Sequence, residues 1–190
     1  MTFSHNDHYH GRLLRLVPRG ARTALDVGCG TGGFARRLAG RGLEVDAVDP
    51  AAEVIEAAGP APGVRYHHAD ITEMELPAGR YDYISCLASI HHVPFGTVAR
   101  LRDALAPGGV LAVLGCYSEV SATDHAWSLA AIPVNAAARL AMAGRGTPSP
   151  APVKQPEMSL AEIRREAADL LPGATIRRLL FWRYLLVYGR

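Results

Sequence analysis

A chain of 190 residues, 49% of them hydrophobic and 20% charged, can build one real core and lacks the composition of a disordered or fibrous protein. Its 20 basic and 18 acidic residues leave a formal charge of +2, too small a surplus to select a polyanionic partner by itself. Cys29, Cys86 and Cys116 are far apart and form no C-x-x-C pair, which argues against a disulfide scaffold and a sequence-local zinc site, so no metal is expected. In chain order, residues 11–17 read as a short amphipathic helix stopped by Pro18. Residues 23–27 read as a strand running into a glycine loop, followed by a helix over 34–39 that Gly40 and Gly42 close. A second such unit follows, with a strand over 43–48 ended by Asp49-Pro50 and a helix over 51–58. Further strands are predicted at 64–68, 81–87 and 110–116, with a helix over 94–105 and a turn at Pro107-Gly108-Gly109 before the last of them. Residues 121–143 look helical, 144–156 form a Gly/Pro-rich loop, and 159–171 form a helix with a capping box of Ser159 and Glu162. Two adjacent strands, 174–181 and 183–188, are joined too tightly for a crossover and must pair antiparallel. Strands alternating with helices imply an α/β fold whose mostly parallel sheet is covered on both faces.

The loop Gly28-Cys29-Gly30-Thr31-Gly32-Gly33 satisfies both G-x-G-x-G and G-x-G-x-x-G. Glycine is required where the backbone turns sharply from strand to helix and a ligand approaches it closely, so the loop suits a dinucleotide or another adenosine cofactor. The neighbouring acids separate the two. Asp26, two residues before the first glycine, opposes a pyrophosphate and favours a cation such as the sulfonium and ammonium groups of S-adenosylmethionine. Asp49 ends the second strand, where a carboxylate accepts from the ribose hydroxyls of either cofactor. Asp70-Ile71, after the third strand, offers an acceptor for an adenine amino group and an apolar wall for its ring. Any one aspartate reads equally well as a turn former or cap; three at successive strand ends make one acidic edge.

Five stretches together resemble the class I S-adenosylmethionine-dependent methyltransferases. They are Ala24-Leu25-Asp26-Val27-Gly28-Cys29-Gly30-Thr31-Gly32, Ala47-Val48-Asp49-Pro50, His68-Ala69-Asp70-Ile71, the run from Tyr81 to Cys86 continuing to His91-His92-Val93, and Ala106-Pro107-Gly108-Gly109-Val110-Leu111. The resemblance covers residues 20–116 and extends to the terminal strand pair. It implies a Rossmann-like seven-stranded sheet of order 3-2-1-4-5-7-6 with strand 7 antiparallel. It also implies S-adenosyl-L-methionine as cofactor and S-adenosyl-L-homocysteine as product, held by Asp26, Gly28, Cys29, Gly30, Thr31, Gly32, Asp49, Pro50, Asp70, Ile71 and Leu87. One departure is that Ala52 and Val54 stand where such sequences often carry a serine and a methionine.

Methyl transfer is an in-line displacement that gains most from holding the nucleophile close and aligned, with proton removal as an auxiliary. The fourth strand ends in Ser85-Cys86-Leu87-Ala88-Ser89-Ile90-His91-His92, without the Asn/Asp-Pro-Pro-aromatic signature associated with nucleobase amino groups. His91 and His92 are the candidate bases. They read equally as the start of a helix, where adjacent side chains diverge by about 100°, so one of them, by preference His91, faces substrate. His8 and Tyr9, on a terminus that otherwise reads as solvated, are candidate pocket residues, as are Tyr117 and Trp127 near the start of the inserted segment. The stripe of Arg12, Arg15, Arg19 and Arg22 reads first as a solvated helix face and second as a grip on an anionic substrate.

The expected organisation is one domain over 1–190, with 1–22 as a helical cap and 118–157 as an inserted helix and loop able to roof the acceptor. The expected activity is methyl transfer to an O or N nucleophile of a small-molecule metabolite. A nicotinamide oxidoreductase, a noncatalytic cofactor-binding module and an RNA methyltransferase stay open as alternatives. No apolar run reaches the roughly 18 residues a spanning helix needs, and Met1 to His10 is polar, so a cytoplasmic monomer or homodimer with no membrane partner is expected.

Overall fold

In the computed structural model the described residues are 5–120, 155–180 and 182–190. The elements are α1 (His5–Leu14), β1 (Thr23–Val27), α2 (Gly33–Ala39), β2 (Glu44–Asp49), α3 (Ala52–Ala58), β3 (Val64–His68), β4 (Tyr81–Leu87), a 3-10 turn (Ile90–His92), α4 (Thr97–Ala104), β5 (Leu105–Cys116), α5 (Leu160–Leu170), β6 (Thr175–Leu179) and β7 (Arg183–Gly189). The strands form one seven-stranded sheet of order β3-β2-β1-β4-β5-β7-β6, the predicted order. Strands β1 to β5 run parallel and β7 lies antiparallel between β5 and β6. The order reverses between β1 and β4, so the chain leaves these two strands in opposite directions and opens a crevice at their carboxyl ends.

Because side chains alternate across a strand, the sheet carries two cores. On one face Leu25, Ile84, Leu111 and Val113 meet Val98 and Leu101 of α4 and Ile163 and Ala167 of α5. On the other, Ala24, Val45, Tyr83 and Ala112 meet Leu13 and Leu14 of α1 and Phe34 and Leu38 of α2. Asp46 is the buried charge of β2, and the side chains of Arg65, His67, Arg80 and Tyr81 all reach it.

Two elements differ from the expectation. Helix α1 begins at His5 instead of residue 11, because Tyr9 and Leu13, four residues apart, share a buried stripe and Tyr9 donates its hydroxyl to the Leu180 carbonyl at 2.9 Å. The polar start is thus half of an amphipathic helix. Strand β5 begins at Leu105, which pairs with Tyr81, so Pro107-Gly108-Gly109 is an irregularity inside the strand and not a turn before it. Gly109 has no room for a Cβ there, since one would press on the carbonyl oxygens of Ala106 and Tyr81. The capping box is present, with Ser159 Oγ accepting from the Glu162 N–H and the Glu162 carboxylate accepting from the Ser159 N–H at 2.8 Å. Trp127, the helix expected over 121–143 and most of the proposed roof lie outside the described residues. Among the described residues no helix is long and apolar enough to cross a membrane, and no cluster of His, Cys, Asp and Glu is arranged to hold a metal ion.

Candidate functional site

The glycine loop leaves β1 with Gly28, Gly30 and Gly32 all at positive φ, a path side chains resist. The N–H groups of Gly28 and Cys29 both donate to the Val48 carbonyl, which ties the loop to β2. A Cβ on Gly28 would overlap Ser89, and one on Gly32 would overlap the ring of Tyr66, whereas one on Gly30 would meet nothing within 4 Å. Two of the glycines are therefore demanded by protein packing, and the third faces open space, as a ligand cradle requires. Thr31 is exposed and its carbonyl accepts from Arg36 at 2.8 Å. The Cys29 thiol is pushed up by burial and by Asp26 and Asp49, so it stays protonated.

Asp26 is 2% exposed. One carboxylate oxygen accepts from Ser85 Oγ at 2.7 Å, while Oδ2 has no hydrogen-bond partner among the described residues. Burial raises this carboxyl to about 7; the Ser85 bond and the nearby Ala35 amide oppose the rise without reversing it. A buried half-satisfied carboxylate is costly unless something cationic or donating completes it. Asp49 is oriented by two backbone donors, Gly30 N at 2.9 Å to Oδ2 and Ala51 N at 3.0 Å to Oδ1, so the acid and the loop hold each other. Pro50 is exposed, its carbonyl facing the His68 ring at 3.1 Å.

Asp70 is exposed, and its Oδ1 accepts both the N–H and the hydroxyl of Thr72, which lowers its pKa below the usual carboxylate range. Ile71 sinks into the core beside Val48 and Ile90 and is 5% exposed. Sequence reasoning missed what fastens these loops. Arg100 of α4 donates to the carbonyls of Ile71, Thr72 and Met74, and Arg36 of α2 reaches the Thr31 carbonyl and the Tyr66 hydroxyl. Neither arginine carries a local motif; only the packing of α4 and α2 on the sheet reveals them.

Leu87 ends β4 half-buried against the α2 face. Ala88 then takes φ 52°, and the chain folds into the turn that carries His91 and His92, whose ring centroids lie 4.2 Å apart. His91 is partly buried and His92 exposed. Both line a cavity of about 320 Å³ whose other walls include Phe95, Cys116, Glu157 and Tyr184. The structure thus brings His91 and His92 to one cavity, which the three other described pocket candidates, Tyr117, Tyr9 and His8, do not line. Tyr117 is buried under the Arg178 guanidinium, Tyr9 is buried with its hydroxyl on Leu180, and His8 packs edge-on to Tyr9 on the exposed side of α1. Cys116, Glu157, Met158 and Tyr184, which the sequence did not single out, line the cavity because β5, β7 and the segment before α5 converge there.

The strand order, the glycine loop and the acids at three successive strand ends define a Rossmann-like protein built for an adenosine cofactor. A family model described as a methyltransferase domain matches residues 24–109. The chain is 39% identical over 191 residues to the uncharacterized methyltransferase Rv0089 of Mycobacterium tuberculosis, spanning 96% of this chain and 94% of that one. It is 34% identical over 134 residues to a ubiquinone biosynthesis O-methyltransferase of Xanthomonas axonopodis pv. citri, 66% of this chain and 54% of that one. Among solved structures, the PH0226 protein of Pyrococcus horikoshii shares the fold with a TM-score of 0.67 at 20% identity, over 96% of this chain and 88% of that one. The chain belongs to the methyltransferase-domain family, as a class I S-adenosylmethionine-dependent methyltransferase. Of the alternatives left open by the sequence, the nicotinamide oxidoreductase and the noncatalytic module are thereby set aside.

Proposed function

We propose that residues 1–190 work as one methyltransferase domain that methylates an O or N nucleophile of a small molecule seated in the cavity beside the β4 turn. The observation that carries this reading is the cavity itself. At about 320 Å³ it suits a metabolite, its walls mix apolar side chains such as Phe95 and Ile163 with polar ones such as Glu157, and its two imidazoles stand in the turn after β4 whose Ser89 abuts Gly28 of the glycine loop. The O-methyltransferase among the relatives supports oxygen as one of the two acceptor atoms.

The residues on the cofactor side fit S-adenosylmethionine. The unpartnered Oδ2 of Asp26 calls for a donor or a cation, Gly30 leaves open space, and Asp49 is held in place by backbone N–H groups with acceptor capacity to spare. In this reading Asp26 completes its hydrogen bonding on the ammonium side, Gly28 to Gly32 give the backbone approach, Asp49 accepts from ribose, and Asp70 and Ile71 bound the adenine end. The bound cofactor supplies a methyl group whose C–S bond breaks with the electron pair remaining on sulfur. His91 or water takes the proton that the acceptor O–H or N–H loses, while the cavity holds the nucleophile in place.

The test is transfer of isotope-labelled methyl from S-adenosylmethionine, with a metabolite library in one arm and total RNA in the other. Label in a small molecule that is lost in the Asp49→Ala variant is expected. Label in RNA alone would overturn the small-molecule reading.

A further inference from the structure

We infer that Ser89 is a positioning residue that fixes the acceptor turn to the end of β1, and with it the distance between His91 and the glycine loop. The inference rests on reading residues 87–95 as the acceptor side of the site. Four observations meet at this residue and the one before it. The Ser89 hydroxyl donates to the Val27 carbonyl at 2.7 Å, and Val27 is the residue immediately before Gly28. Ser89 Cβ and Oγ occupy the space that a side chain on Gly28 would fill, so the turn rests directly on the glycine loop. Ala88 adopts φ 52°, a conformation that non-glycine residues resist, and its N–H is fastened to the Leu114 carbonyl at 2.7 Å. The Ser89 carbonyl then accepts from the His92 N–H at 2.9 Å, closing the turn that contains His91.

The Cys86 thiol extends this contact. Its sulfur lies 2.9 Å from Ser89 Oγ. A serine hydroxyl has one proton, and the Val27 carbonyl can only accept, so the thiol is the donor in the Cys86 pair. The direction is Cys86 S–H to Ser89 O–H to Val27 C=O. Burial pushes the Cys86 thiol up to about 12, so it keeps the proton this arrangement needs. β4 and β1 are thus joined twice beside the site, by this chain and by the Ser85 to Asp26 bond one layer below. Because a displacement of about 1 Å can cost a hundredfold in a reaction that depends on alignment, a latch at this point governs the acceptor side while touching neither ligand.

The test needs no acceptor. Protein carrying ¹³C-labelled histidine is titrated with S-adenosylhomocysteine, following the His91 ring resonance by NMR and affinity by calorimetry. In the wild type, binding shifts His91. In Ser89→Ala the dissociation constant stays within about fivefold, while the ligand-induced shift of His91 falls by about half or more. Cys86→Ala gives a smaller loss and Cys86→Ser, which keeps a donor, restores the wild-type response. Thr23→Val, which breaks comparable bonds to Asp82 and Arg80 at the opposite end of β1, lowers stability and leaves the His91 response intact. Should Ser89→Ala fail to fold, the Cys86 pair decides. An undiminished shift in Ser89→Ala, or an equal loss in Thr23→Val, overturns the latch. Binding without any His91 shift in the wild type also overturns it and leaves the cofactor reading standing; absence of binding overturns both.

Discussion

The cofactor half of the site and the half proposed to hold the acceptor are built by different means. In the first, backbone does most of the holding: positive-φ glycines, two N–H groups on the Val48 carbonyl, two more on the Asp49 carboxylate. In the second, side chains from the turn after β4, from β5 and β7, and from α5 and the segment before it converge on one cavity. Backbone geometry demands particular residue types at fixed spacing, whereas a cavity wall accepts any side chain of suitable size and polarity. A cofactor shared by many enzymes suits the first arrangement; an acceptor that varies suits the second.

Several substitutions sharpen the contrast. Gly28→Ala puts a Cβ onto Ser89 at φ 67°, and we expect it to cost about 2–4 kcal/mol of stability and to abolish measurable S-adenosylhomocysteine binding, by denaturant titration and calorimetry. An alanine variant that binds normally would mean the loop tolerates the contact. His91→Ala is expected to lower turnover by about 10²-fold and leave cofactor affinity within a few-fold, once the labelled-methyl screen supplies an acceptor. If instead the Michaelis constant rises at unchanged turnover, the imidazole only orients substrate. Asp49→Ala should weaken S-adenosylhomocysteine by about 1.5–3 kcal/mol in a folded protein, and Asp49→Asn by less, since the amide oxygen can keep one of the two backbone bonds. Equal affinities across wild type and both variants would take Asp49 away from the ribose.

The same contrast explains what could be read from the sequence. The parallel α/β class and the acids at the strand ends were legible because strand-loop-helix units repeat and each must end in turn residues at a set place, whereas the order of the strands came from the family resemblance. Helix α1 was read as starting six residues late because Tyr9 and His10 pack against partners remote in the chain, the Leu180 carbonyl and Phe34, that a local pattern does not display. Tyr117, a pocket candidate from its place after β5, is buried beneath Arg178 and does not line the cavity that His91 and His92 share. Glu157 and Tyr184 are 27 residues apart and reach the same cavity from a loop and a strand, a juxtaposition made by tertiary packing alone. Arg36 and Arg100 escaped notice for the same reason, since Arg36 reaches the Ala58 carbonyl and the Tyr66 hydroxyl, and Arg100 the carbonyls of Ile71 and Met74, across 22 to 30 residues of chain.

The central claim is that a buried acid beside the glycine loop selects a cationic adenosine ligand, and Asp26 makes it measurable. Its folded-state pKa of about 7 lies above the unfolded value, so without ligand the ionised form is disfavoured and stability falls as pH rises from about 4 to 7. A cationic ligand prefers the ionised form and must displace the proton below pH 7, so affinity rises with pH across that value. Calorimetric titration of S-adenosylhomocysteine at pH 6 and pH 8, with NAD in parallel, reads this directly. We expect about tenfold tighter S-adenosylhomocysteine binding at pH 8, a pH dependence flattened in Asp26→Asn, and no comparable binding of NAD. Affinity that falls between pH 6 and 8, or NAD binding tighter than S-adenosylhomocysteine, would contradict it.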